Sequence, residues 1–183
     1  MLTNINLSDL AALSAAAVSV IIADTTATYS VQPILQCQQF QPLQMWPIGG
    51  SSGWNIVTAA DGVTSQFQSI QCPGFSLSYP GEIAKASNFR AQGALQPTSE
   101  SDISFTITPV VAGQSNGPFF ISMANVPFGF PIYMTGWAPN LTFGLDAPLV
   151  FEDQNTADVR QQFQLLGTEC GLNYTVEEND VLF

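Results

Sequence analysis

The side chains with most chemistry in this sequence are carboxylates in two short stretches, "FEDQNTAD" (Glu152, Asp153, Asp158) and "VEEND" (Glu177, Glu178, Asp180). Two carboxyls at a fixed separation suffice for glycoside hydrolysis or for an aspartic-protease dyad. Little else could catalyse, because the chain has no histidine. That absence removes Ser–His and Cys–His nucleophiles and the commonest ligand of zinc, copper and iron. Both acidic stretches are turn-rich and carry nothing that would raise a carboxyl pKa, so they read as a solvated loop and a solvated tail. Their spacing does not match a calcium loop either. No cofactor and no metal is expected, and an acidic glycosidase is the enzyme class left open.

Recognition is the better use of such residues. Aromatic faces on exposed loops stack on the apolar faces of sugar rings, while Asp and Asn side chains bond to hydroxyls. The aromatic candidates are Tyr79, Tyr133 and Trp137; the polar ones are Asp61 and Asn125. Core packing competes for each aromatic and Asx-turn formation for each polar residue. Trp137 stands in "MTGWAPN" between turn-forming residues, which predicts an exposed indole.

Charge narrows the partner. Three basic residues (Lys85, Arg90, Arg160) face fourteen acidic ones, a formal net charge of −11. Phosphate backbones and anionic lipid both need clustered Lys/Arg, so nucleic acid and membrane are excluded as partners. A neutral glycan or an extracellular protein fits better, and self-association through Gln, Ser and apolar side chains is a further expectation.

The elements that must position these residues are strands. With 183 residues and 46% apolar content, one domain with a sizeable core is expected. Residues 10–23, "LAALSAAAVSVIIA", are an uncharged run too short to span a bilayer. They read as the apolar part of a secretory leader cut after Ala23, leaving a domain over 24–183, although Asp9 and the lack of Lys/Arg depart from the usual basic start. The alternative is a buried helix capped by Ser8. Asn140-Leu-Thr and Asn173-Tyr-Thr are glycosylation acceptors and support an extracellular protein. Cys37, Cys72 and Cys170 lie too far apart for a redox or metal motif, so one disulfide plus one leftover thiol is expected, with Cys37–Cys72 preferred. Three buried free thiols are the competing reading.

Beyond residue 24 the chain repeats. "QMWPIGGSSGWNIVTAAD", "ISFTITPVVAGQSNGPFFISMAN" and "QQFQLLGTECGLNYTVEEND" each hold an aromatic two residues before an aliphatic, a Gly-containing loop and a second alternating strand. The leading aromatics Trp46, Phe105 and Phe163 are spaced by 59 and 58 residues and are expected in equivalent buried places. Asp61, Asn125 and Asp180 close the second strand of each copy. Alternation at period two with Gly/Ser/Asn turns marks hairpins of an all-β fold.

A threefold repeat of about four short strands resembles a β-trefoil. Gln44-Met45-Trp46 matches the Gln-x-Trp signature of the ricin B-type lectin-like members, and Gln161-Gln162-Phe163 matches it with Phe for Trp. The middle copy has Ile103 in place of the Gln, and no copy carries the family's Gly-Lys-Cys-Leu-Asp stretch, so the resemblance implies the architecture and no specific sugar site. A β-sandwich or jelly roll is the alternative fold. The expected function is a secreted, non-catalytic, lectin-like binder of neutral carbohydrate. A protease inhibitor presenting residues 95–102, "LQPTSESD", and a self-assembling surface-coat protein are the competing classes.

Overall fold

The computed structural model describes residues 3–5, 17–33, 36–49, 53–80, 92–100, 103–125, 131–137 and 147–168. After a two-residue strand β1 (Thr3–Asn4), the described strands fall into three groups of four. The first is β2 (Val18–Asp24), β3 (Tyr29–Pro33), β4 (Leu43–Pro47) and β5 (Trp54–Thr58). The second is β6 (Thr64–Ser69), β7 (Phe75–Ser78), β8 (Ala94–Pro97) and β9 (Phe105–Pro109). The third is β10 (Phe119–Met123), β11 (Ile132–Gly136), β12 (Leu149–Asp153) and β13 (Phe163–Gly167), with a 3-10 turn, Val159–Gln161, before β13. The all-β expectation holds. Alternation makes the strands: in β6, Ser65, Phe67 and Ser69 are buried while Thr64, Gln66 and Gln68 are partly exposed.

The first and fourth strands of each group close a six-stranded antiparallel barrel, in the cyclic order β2, β5, β6, β9, β10, β13 and back to β2. Its register repeats from group to group. Trp54 faces Val20 on β2 and Ser69 on β6. Phe105 faces Ser65 on β6 and Met123 on β10, and Phe163 faces Phe119 on β10 and Asp24 on β2. Each aromatic begins the fourth strand of its group and is at most 1% exposed. Below this layer stand Ile22, Phe67 and Ile121, each fully buried. Burial of that kind contributes roughly 1.5–3 kcal/mol per large side chain and fills the barrel.

This register corrects the sequence alignment at one place. The counterpart of Phe105 and Phe163 is Trp54, not Trp46. Trp46 sits on β4 and is 52% exposed. The Trp54 indole is buried and its Nε1–H donates to the Val31 carbonyl at 2.9 Å, which ties the barrel to the adjacent hairpin.

The second and third strands of each group pair as hairpins, β3–β4, β7–β8 and β11–β12. Their inward residues Val31, Met45, Leu77, Leu95, Met134 and Phe151 join the barrel core. Isolated bridges link the hairpins in a cycle: Pro42 to Ala94, Gln92 to Val150, and Pro148 to Gln44. Gly93 lies in this junction, where a Cβ would stand 3.1 Å from the Leu149 side chain, so a larger residue would force the hairpins apart.

The apolar run near the amino terminus contributes a strand. Val20 and Ile22 face the core, and β2 pairs with both β5 and β13. The helix alternative is therefore replaced by β-structure over Val18–Asp24, and a chain starting at Asp24 would lack all of β2 but its last residue. Cys37 and Cys72 form a disulfide that ties the loop between β3 and β4 to the turn between β6 and β7. Cys170, Asn140, Asn173 and Asp180 lie outside the described residues.

Candidate functional site

An outward face on the β3–β4 hairpin carries the most exposed indole among the described residues. Strand alternation sends Leu43 and Met45 into the core and leaves Gln44 and Trp46 pointing outward. Across the ladder Ser30 stands opposite Trp46 and Gln32 opposite Gln44. The Gln32 amide Nε2 donates to Ser30 Oγ at 2.9 Å and to the Pro47 carbonyl at 3.1 Å, which fixes the amide beside the ring-bearing strand. The exposed indole therefore shares its face of the hairpin with the Gln32 and Gln44 side chains. The other two hairpins place Ser76 with Gln96, and Tyr133 with Glu152, at the same register position. Gln96 is buried and its Oε1 accepts from Gln39 Nε2 at 2.8 Å, so the second hairpin offers no such surface.

A second platform stands on the third group. Trp137, 39% exposed, follows β11, and the Arg160 guanidinium lies 4.1 Å from its ring centroid. Arg160 is held there by Asp158, whose carboxylate accepts from Arg160 Nε at 3.0 Å and from Nη2 at 2.6 Å. These bonds lower the Asp158 pKa, and Asp158 in turn raises that of Arg160. Asp158 also accepts from the Arg160 backbone N–H at 3.0 Å and so starts the 3-10 turn. The next residue, Gln161, is 1% exposed and braces the whole loop. Its Nε2 donates to the Asp153 carbonyl at 2.9 Å and to Thr135 Oγ1 at 3.2 Å, and its Oε1 accepts from the Asn155 N–H at 2.8 Å.

The remaining candidates separate. Tyr133 is half-buried and meets Phe120 edge-on at 5.7 Å, on the same hairpin that leads into Trp137. Asn125 is exposed in the segment that follows β10. Tyr79 is 7% exposed and packs against Phe151 at 5.3 Å, which makes it a core residue instead of the exposed aromatic expected. Asp61 lies in the β5–β6 turn, at the opposite end of those strands from the hairpins. Its carboxylate accepts from the N–H groups of Val63 and Thr64 at 2.8 and 2.9 Å and from Thr64 Oγ1 at 2.8 Å. The backbone N–H of Thr64, then that of Val63, lowers its pKa, and a turn role accounts for the residue. Asp61 and Asp158 are thus both shifted away from what a general acid at neutral pH requires.

Trp46 is the residue that the motif match misplaced, whereas Gln161-Gln162-Phe163 lies where the match put it, just before and at the start of β13. The strand pattern Leu43-Gln44-Met45-Trp46 held the signal, since Trp46 shares a face with Gln44 and not with the two apolar residues.

No protein-family model and no curated protein sequence matches the chain. Solved structures share its fold at low identity. A mosquitocidal holotoxin aligns with a TM-score of 0.61 and 16% identity over 82% of this chain, which spans only 17% of the toxin's length. The Rhizoctonia solani agglutinin aligns with a TM-score of 0.58 and 13% identity over 85% of this chain and 99% of its own. The Haemophilus ducreyi cytolethal distending toxin aligns at 0.54 and 10% identity over 81% of each chain.

Proposed function

We propose that this chain is an extracellular, non-catalytic β-trefoil protein that binds neutral carbohydrate on the outward face of its first hairpin. The observation that carries this reading is Trp46, an indole 52% exposed on a strand whose Leu43 and Met45 are core. An exposed Trp costs solvation and contributes nothing to the barrel, whereas its ring and the amides of Gln32 and Gln44 suit the apolar face and hydroxyls of a sugar. Trp137, with Tyr133 and Asn125 in the same group of strands, forms a second platform for the same chemistry. Tyr79 and Asp61 keep structural roles.

Several observations support the reading. The repeating register agrees with a β-trefoil, and an agglutinin is among the proteins that share the fold. The Cys37–Cys72 disulfide suits an oxidising compartment. A net charge of −11 disfavours acidic ligands. The mature protein in this proposal retains Val18–Ala23, because β2 closes the barrel. An inhibitor acting through residues 95–102 is disfavoured, since Leu95 and Gln96 are buried in β8. A glycan array probed with the folded chain tests the proposal: neutral oligosaccharides should be retained, and Trp46→Ala should cut the signal to the part that the Trp137 platform holds. Retention unchanged by that substitution would defeat the assignment of the site.

A further inference from the structure

We infer that Asn116 is a self-modification site, at which the folded protein converts an amide to a carboxylate without an enzyme. The loop between β9 and β10 carries Ser115-Asn116-Gly117, the one Asn-Gly pair in the chain. In this reaction the backbone nitrogen of Gly117 attacks the side-chain carbonyl carbon of Asn116, forming the C–N bond of a succinimide as ammonia leaves. Water then opens the ring at either carbonyl, giving aspartate or isoaspartate. Atoms balance with water as the only co-reactant and ammonia as the only by-product.

The structure offers each requirement. Asn116 is exposed. Gly117 has no side chain to hinder the attacking nitrogen, and its N–H takes part in no hydrogen bond among the described residues, so base can deprotonate it. Ser115 Oγ donates to Asn116 Oδ1 at 3.1 Å, which polarises the carbonyl under attack. No other asparagine is followed by glycine. Asn55 lies within β5 before the β-branched Ile56, and its Oδ1 accepts from Ser19 Oγ at 2.8 Å. Asn155 precedes Thr156, and its Oδ1 accepts from the Ala157 N–H at 3.2 Å.

The modification falls at a sensitive place. A Cβ built on Gly117 would stand 2.8 Å from the Phe119 ring, so the backbone is packed closely there. Phe119 is itself 1% exposed and stands beside Phe163 in the β10–β13 ladder. Isoaspartate adds one methylene to the backbone just before this point, and either product adds a negative charge to a protein already at −11. Ageing of the protein would therefore loosen the β10–β13 seam.

The test incubates the native protein and a urea-unfolded sample at mildly alkaline pH and follows peptides by mass spectrometry. Native protein should gain about 1 Da at Asn116, as replacement of an amide by a carboxyl requires, at a rate within about threefold of the unfolded chain. Asn55 and Asn155 should stay unchanged over the same period. Asn116→Gln should abolish the gain, and its melting temperature should stay constant while that of the incubated parent falls. A native rate about tenfold or more below the unfolded rate would show that the loop protects the site, and would overturn the inference.

Discussion

Two tryptophans eight residues apart in the chain should answer the same truncation in opposite ways. Trp54 is fully buried, and its indole N–H donates to Val31. Trp54→Ala removes a large core side chain, for which about 3–5 kcal/mol is expected. It also leaves the buried Val31 carbonyl without its donor, for a further ~1 kcal/mol. Trp54→Phe keeps most of the volume and loses the hydrogen bond, so about 1–2 kcal/mol separates it from the parent. Phe105→Ala and Phe163→Ala should match the truncation term, about 3–5 kcal/mol, because both occupy the equivalent register position. Trp46→Ala should stay within about 0.5 kcal/mol, since half of that side chain is already in water. Urea denaturation followed by circular dichroism reads all five variants without relying on the tryptophan signal that some of them remove. A domain of ordinary stability, about 5–15 kcal/mol, makes the larger losses easy to measure. The reasoning fails if Trp46→Ala destabilises as much as Trp54→Ala, or if Trp54, Phe105 and Phe163 respond unequally after the hydrogen-bond term is removed.

Further expectations follow from the same contacts. Replacing Cys37 and Cys72 by Ala should destabilise the chain by about 3–4 kcal/mol in the loop-entropy model, given their separation of 35 residues, as read by denaturant titration under oxidising conditions. Folded Asp61 and Asp158 both titrate below their unfolded value near 4, so their contribution is complete above that value and is lost as pH falls through the folded pKa values. Melting temperature should therefore drop below about pH 4, and Asp61→Asn should flatten part of that slope. A chain beginning at Asp24 should fail to give the far-ultraviolet spectrum and cooperative melt of the full chain, because β2 supplies Val20 and Ile22 to the core and pairs with two strands.

The all-β class and the threefold organisation could be read from the sequence, because period-two alternation and turn residues are local signals. The Cys37–Cys72 pair could be preferred but not decided, because spacing alone does not choose among three cysteines. The phase of the repeat could not be read. Trp46 and Trp54 each precede an aliphatic at the same spacing, and only long-range pairing with β2 and β6 decides which of them enters the barrel. The same limit applies to residues 18–24, where an apolar run suits a leader, a buried helix or a central strand until β13 is placed beside it. Trp137 was found because turn residues flank it, whereas its stacking on Arg160 depends on a loop that Gln161 folds back across the third hairpin. Tyr79 shows the converse case: nothing local to it announces Phe151 as its neighbour.

The central claim is that the Trp46 face binds a neutral sugar, and titration of the best neutral oligosaccharide from the array into the parent, Trp46→Ala and Trp137→Ala proteins tests it most directly. Tryptophan fluorescence of the parent should change saturably, with little dependence on salt because neither partner relies on charge. By calorimetry, affinity should fall tenfold or more in Trp46→Ala, about 1.4 kcal/mol, with an unchanged melting temperature. Trp137→Ala should lose part of the binding capacity, as expected of a second platform. Equal affinity and capacity in the parent and Trp46→Ala proteins would contradict the account.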